Sequence, residues 1–304
     1  MKIAIPDLIS NSYFPAIAAV ELGFFKEQGL DVSLELVVPV ETALSALRDG
    51  TLEFLGCSSH LVVGGFPEWR GAKLLCAQAQ HMYWFLVMRS DLNPVRGDLT
   101  ILKGRRIGAA YWVGMALRRL LIDTGIDPDR DAVQIAPIQG AHAPGMSFGV
   151  MAAQALEEGR VDGFWANGMG AELAVQRGVG TVVLDARRDA GVPDYTMASI
   201  VASDRFIEAS PEKAAAAVRA IAATQRALKQ NVELARGVGE RLFPSAEAGL
   251  IVDLIRRDAP YYDAAISEAA VDRMVRFSNE AGLLQRRPAY SEVVATQFAP
   301  LWAG

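Results

Sequence analysis

Cys57 and His60 stand three residues apart in the stretch "EFLGCSSH", with Ser58 and Ser59 between them. A thiol beside an imidazole is the minimum for nucleophilic catalysis, but such a pair also needs a group to orient the base and an electropositive setting to hold the thiolate. Spacing alone supplies neither, and a lone histidine more often satisfies a local hydrogen bond than it moves protons. Metal chemistry has still less to build on. The chain carries no CxxC, no HExxH and no Asp-rich calcium loop, and no Gly-rich phosphate loop. The expectation is therefore no metal, no cofactor and no catalytic constellation.

Binding chemistry is better supplied. Short β-type runs end in small polar or aromatic residues: Ser10, Asn11, Ser12 and Tyr13 after "KIAIPD", Val40 and Glu41 after "VSLELVV", Ser58, Ser59 and His60 after "EFLGC". Tyr83 and Trp84 precede "FLVMR", Tyr111, Trp112, Gly114 and Met115 follow "RIGAA", Trp165 and Asn167 follow "DGF", and Tyr195 lies at a later strand start. Aromatic faces can hold a flat or aliphatic body at about 1 kcal/mol per good stacking contact. Backbone N–H groups and hydroxyls at the helix starts around Ser10–Tyr13 and Ser58–His60 could hold an acidic head without an arginine. Each reading has a structural competitor, since strand-end Tyr and Trp often pack cores and Ser58–Ser59 could cap a helix.

These residues converge only if the strands are arranged side by side. Strand runs alternate with helical patterns from the first residue, which implies βαβ units and a mostly parallel sheet flanked by helices. In such sheets ligands sit off the carboxyl ends of the strands. The pattern also repeats: "ALRDGTLEFLGC" begins at residue 46 and "ALEEGRVDGFWA" at residue 155, while "RRIGAAY" repeats the character of "MKIAIPD". A period this long means two similar lobes rather than a solenoid. The Pro- and Gly-rich "SDLNPVRGDLTILKG" is the best linker, so the expected lobes are residues 1–90 with 196–304, and residues 91–195. After a second crossing near Asp194 the chain turns helical, with Ser210 before Pro211 marking a helix start. Two crossings suggest a hinge.

Composition narrows the partners. With 304 residues, 51% of them hydrophobic, the chain can fill two cores. A formal charge of −5 with scattered arginines gives no footprint for nucleic acid, and no run reaches the roughly 20 apolar residues that span a bilayer. "MKIAIPDL" enters a strand pattern directly, so the expected location is the cytoplasm, or the periplasm if a leader lies outside this sequence. Cys57 and Cys76 are read as two free, partly buried thiols, with one bridge as the alternative.

One family combines these features. "SYFPAIAAVELGFFKEQGLDVSLELV" resembles the N-terminal signature of type II periplasmic binding proteins of the nitrate, sulfonate and taurine group, also called the NMT1 or thiamine-biosynthesis-like group. The matching residues are Glu21, Gly23, Phe24, Phe25, Gly29, Leu30, Asp31 and Val32. "ALRDGTLEF", "LKGRRIGAAYWVG", "ALEEGRVDGFWA" and "SDRFIEASPEKAAAAVRA" are similar to the group's later motifs, so the likeness runs essentially the whole chain. It implies an α/β, two-lobed type II binding-protein fold that closes on a small organic solute, aromatic or anionic, and presents it to an ABC permease in the membrane. Enzymes share the scaffold. The pyrimidine synthases of thiamine biosynthesis are similar in the first lobe, but their Cys-rich iron-binding segment has no counterpart here. Aromatic desulfinases use a cysteine in the loop after the first strand, where this chain has Ser12. A decarboxylase on the same scaffold is the remaining enzymatic alternative.

Overall fold

The computed structural model describes residues 1–140 and 147–303; His142 lies outside them. In chain order the elements are β1 (Lys2–Ile5), α1 (Phe14–Glu21), α2 (Phe24–Glu27), β2 (Ser33–Leu36), α3 (Val40–Asp49), β3 (Phe54–Ser58), β4 (Ala72–Ala79) and β5 (Phe85–Arg89). They continue as β6 (Arg106–Gly108), α4 (Tyr111–Asp123), β7 (Gln134–Ala136), α5 (Phe148–Glu157), β8 (Gly163–Ala166), α6 (Gly168–Gln176), β9 (Gly180–Asp185) and β10 (Ala198–Ser203). Helices complete the chain: α7 (Asp204–Ala209), α8 (Pro211–Gln230), α9 (Leu234–Leu242), α10 (Ser245–Asp258), α11 (Glu268–Glu280) and the short α12 (Tyr290–Val293). No helix among the described residues is long and apolar enough to cross a membrane.

The elements form for local reasons. In α3, Val40, Ala43, Leu44 and Leu47 fall on one buried stripe, the spacing that makes a helix lie on a sheet. Strands β3 and β10 are buried along their whole length, as strands covered on both faces must be. Ser203 caps α7, its hydroxyl accepting from the Phe206 N–H at 3.2 Å. The start expected at Ser210 is also present, but the Ser210 side chain makes no capping bond and Pro211 alone sets the first turn.

Two compact units result, Met1–His81 with Tyr195–Gly304, and Met82–Asp194. The first holds a sheet of order β2-β1-β3-β10-β4, the second one of order β7-β6-β8-β5-β9. Within each, four strands run one way and one is opposed: β10 pairs antiparallel with β3 and β4, and β5 with β8 and β9. The sheets are therefore mixed. The opposed strand is in each case the first one made after the chain enters or re-enters the unit. This places β5 in the second sheet, whereas the sequence reading puts the break after residue 90 and so leaves "WFLVMR", Tyr83 and Trp84 in the first lobe. The Pro-rich stretch is a connection within the second unit, and the crossing falls between His81 and Met82.

The repeated motif does the same work twice. Gly50 and Gly159, with φ of 79° and 69°, end α3 and follow α5 in the left-handed region where glycine is unstrained. The acid after each glycine then clamps the start of its unit's first strand. Glu53 accepts from the Lys2 N–H at 2.7 Å and Asp162 from the Arg106 N–H at 2.9 Å.

Candidate functional site

In the first unit, the loop between β1 and α1 brings Ser10, Asn11, Ser12 and Tyr13 to the carboxyl edge of the sheet, all four buried. The Ser12 N–H donates to the Ser10 hydroxyl at 3.0 Å, and the Asn11 amide donates to Asp258 Oδ2 at 2.6 Å. Ser12 Oγ, in a residue 4% exposed, has no hydrogen-bond partner among the described residues. Tyr13 precedes α1 without a side-chain cap; instead the buried Gln78 reaches in from β4, its Oε1 accepting from the Ala16 N–H at 3.3 Å. Gln78 Nε2 also donates to the Ser199 carbonyl at 3.2 Å, tying the start of α1 to β10.

Beside this loop, Ser58 ends β3 and Ser59 and His60 follow it, all three fully buried. Because β10 runs against β3, its beginning meets them. Ser59 Oγ bonds the Met197 carbonyl at 2.9 Å and Ser199 Oγ at 2.7 Å, while His60 Nδ1 lies 3.1 Å from Thr196 Oγ1. Phe277 of α11 takes the His60 ring edge-on and stacks on Tyr195 with centroids 5.0 Å apart. Val40 is buried and Glu41 exposed in the first turn of α3.

The Cys57 and His60 pair does not form a nucleophile. Cys57 is fully buried, and desolvation pushes its thiol up to about 12, so it stays protonated at neutral pH. Burial likewise raises the Cys76 thiol. Both cysteines are free. They flank β10 opposite consecutive residues, Ser199 and Ile200, and so project from opposite faces of the sheet, roughly two strand spacings (about 9–10 Å) apart. A disulfide cannot span that. No cluster of three or more potential metal ligands occurs among the described residues.

In the second unit the opposed β5 delivers its beginning to the carboxyl edge. Tyr83 and Trp84, each 2% exposed, join Trp165 at the end of β8 in one aromatic group, with centroid distances of 5.1 Å and 6.0 Å along Tyr83–Trp84–Trp165. Trp165 is fully buried, yet its indole N–H meets no acceptor among the described residues. Asn167 caps α6, its Oδ1 accepting from the Gly170 N–H at 3.1 Å. That cap sits where α5 and α6 touch backbone to backbone, since a Cβ on Gly170 would lie 2.7 Å from the Gly149 carbonyl oxygen. At the start of α4, Tyr111 is 62% exposed and meets the half-buried Trp112 edge-on at 5.6 Å; Gly114 is buried and Met115 half-buried one turn further on.

Arg187 is absent from the residues picked out by sequence. It follows β9, is 9% exposed, and holds its guanidinium carbon 5.8 Å from the Tyr83 ring centroid. The Ala186 N–H donates to the Trp84 carbonyl at 2.9 Å, which draws this turn onto the aromatic group. Its only sequence signal is position, immediately beyond the apolar run "TVVLDA".

A family model described as NMT1/THI5 like matches residues 10–233. No curated protein sequence matches the chain. Among solved structures, it is similar to the alkanesulfonate-binding protein SsuA from Xanthomonas axonopodis pv. citri bound to MOPS, with 14% identity, TM-score 0.73 and 97% of each chain covered. The periplasmic nitrate-binding protein NrtA from Synechocystis PCC 6803 aligns over 83% of this chain and 68% of its own, at 17% identity and TM-score 0.65. An enzyme shares the fold as well. A mutant of DSZB in complex with biphenyl-2-sulfinic acid aligns at 16% identity and TM-score 0.64, over 98% and 97% of the two chains.

Proposed function

The chain belongs to the NMT1/THI5-like family, and from that premise we propose that it is the solute-binding component of an ABC importer. Its solute is a small organic molecule, aromatic or anionic, that it delivers to a membrane permease. The reading places the protein in the periplasm. One observation carries it above all: the carboxyl edge of each unit holds a buried polar atom that no described residue satisfies, Ser12 Oγ in the first and Trp165 Nε1 in the second. Buried polar groups are normally paired, and a solute that supplies the partners recovers what their isolation costs. Alkanesulfonate and nitrate binding by structural neighbours supports a small anionic solute.

A solute that binds one conformation of the protein more tightly than another shifts the population toward that conformation. Micromolar capture needs only about 8 kcal/mol. The rival is an enzyme on this scaffold, as DSZB is. Against it stand the protonated, buried thiol of Cys57 and a hydroxyl at Ser12 in the loop after β1.

Thermal-shift screening against sulfonates, aromatic carboxylates and pyrimidines tests this reading. A true solute at one hundred times its dissociation constant adds about 2.7 kcal/mol of stability. Failure of every compound to raise the melting temperature, or progressive consumption of a hit, would count against solute binding.

A further inference from the structure

We propose that Glu68 and Trp69 form a strained latch, through which the segment after α11 controls how firmly Ser59 and His60 are held at the carboxyl edge of the first unit. The latch lies wholly within that unit and stands whether or not the edge takes a solute.

The backbone provides the first argument. Glu68 and Trp69 both have φ of 56°, the left-handed pair that a type I′ turn requires and that Asn-Gly normally supplies. Side chains are disfavoured at such φ, bulky ones most of all. Trp69 adds a second disfavoured feature, since the residue is 2% exposed and its indole N–H meets no acceptor among the described residues. Outliers of this kind persist only where their surroundings over-determine them. Here one segment does so. The Glu68 carboxylate accepts from the Gln285 N–H at 3.2 Å and the Arg286 N–H at 3.3 Å, and the Glu68 carbonyl accepts from Arg286 Nε at 3.0 Å. Arg286 Nη1 also donates to Glu292 at 2.8 Å. The chain beyond is tied to β4, where Lys73 Nζ donates to the Ser291 carbonyl at 2.7 Å and the Ala295 N–H to the Leu74 carbonyl at 3.0 Å.

The second argument is what the turn is joined to. Ser59–Gly64 and Pro67–Trp69 are successive 3₁₀ turns, so the stretch that begins with Ser59 and His60 ends at the latch. α11 meets both ends of it. At the front, Phe277 takes the His60 ring edge-on, with centroids 5.5 Å apart. At the rear, the Asn279 amide donates to the carbonyls of Leu284 at 2.8 Å and Arg286 at 3.0 Å, and Arg286 is the residue that Glu68 grips. The stretch and α11 are therefore fastened at two points. Opening the rear one lets Glu68 and Trp69 return to φ below zero and gives the indole N–H access to water. The front is then left to the Phe277 ring and to the bonds of Ser59 with Met197 and His60 with Thr196.

Fluorine NMR of the protein carrying 5-fluorotryptophan tests the latch without any ligand. The five tryptophans give five signals, and Trp69→Phe identifies the one from Trp69. Arg286→Gln, which leaves the residues of the turn in place, should move that signal and make it sensitive to replacing H2O by D2O, with Trp84, Trp112 and Trp165 of the second unit unchanged. In the same variant the Ser59 N–H, which donates to the Met197 carbonyl at 2.9 Å, should exchange with solvent about tenfold faster or more. The Val37 N–H, bonded to the Ile5 carbonyl at 3.1 Å at the opposite margin of the sheet, should keep its rate. If Arg286→Gln fails to fold, the wild type decides: its Gln285, Arg286 and Ser59 N–H groups should open as one unit, with a shared dependence on denaturant, ahead of Val37. The proposal falls if a folded Arg286→Gln leaves the Trp69 signal unmoved, if Trp69 moves and Ser59 exchange does not, if Val37 accelerates as much as Ser59, or if the three wild-type groups open separately. Failure of solute capture would leave the latch untouched, since no arm of the experiment uses a solute.

Discussion

Gly170 and Gly249 offer one chemical change with opposite expected signs. On Gly170 of α6, an added methyl would lie 2.7 Å from the Gly149 carbonyl oxygen, 2.9 Å from its Cα and 3.1 Å from its carbonyl carbon. Comfortable contact between carbon atoms begins near 3.5 Å, and the colliding atoms are backbone of α5, which cannot rotate away. Overpacking of this kind costs about 1–3 kcal/mol, and the fixed partner argues for the upper half. Replacing a helical glycine returns at most about 1 kcal/mol, so Gly170→Ala should lose about 1–2 kcal/mol. Gly249, in α10, is exposed and a methyl there would meet nothing within 4 Å. Gly249→Ala should gain about 0.5–1 kcal/mol. Urea denaturation followed by far-UV circular dichroism reads both; with a slope of about 3 kcal/mol/M, Gly170→Ala moves the midpoint down by roughly 0.5 M. Solute affinity should fall with it, since Asn167 Oδ1 accepts from the Gly170 N–H and Trp165 lies two residues earlier. A Gly170→Ala protein at least as stable as the wild type would refute the close-approach argument, and a destabilised Gly249→Ala would refute the helix-propensity one.

Further outcomes follow from the same structure. Trp112→Ala, on a half-buried residue, should weaken solute binding about five- to tenfold by calorimetry without changing the melting temperature of the free protein; undiminished affinity would exclude Trp112 from the site. Trp165→Ala is a poorer probe, because truncating a fully buried tryptophan costs about 3–5 kcal/mol of stability and confounds the two readouts. Gln78→Leu leaves the Ser199 carbonyl without its amide donor and removes an acceptor from the Ala16 N–H, and should cost about 2–4 kcal/mol in denaturant unfolding. Burial holds the Cys57 thiol up at about 12 while the unfolded chain titrates near its ordinary value. The unfolded state therefore binds fewer protons than the native state as pH rises above about 9, so stability should decline from there toward 12. A Cys57→Ala, Cys76→Ala double variant should flatten that slope, and an unaltered slope would contradict the burial argument.

Much of the architecture is legible in the residues. The repeat at 46 and 155 announces two similar lobes, and its glycine and acid occupy the same structural roles in both. The direction of β5 is not legible, because "WFLVMR" states a strand but not its neighbours, and those partners, β8 and β9, lie far along the chain. That is why Tyr83 and Trp84 change units. Arg187 stays hidden for a related reason: nothing in "LDARRDAG" distinguishes one of its two adjacent arginines from the other, and only tertiary packing beside Tyr83 buries Arg187. Likewise the mutual spacing of Cys57 and His60 says nothing of the desolvation that silences the thiol.

The opposed strands carry a consequence for how the molecule is made. The second unit is one unbroken stretch, and all five of its strands have been synthesised once Asp185 emerges. The first unit is interrupted by it, and β10, the neighbour shared by β3 and β4, is not translated until Ser203. During synthesis β3 and β4 therefore leave the ribosome with a gap between them that only a later segment can fill. The insert can close its sheet while its host still waits for a central strand, so the order of translation makes the first-begun unit the last to be finished.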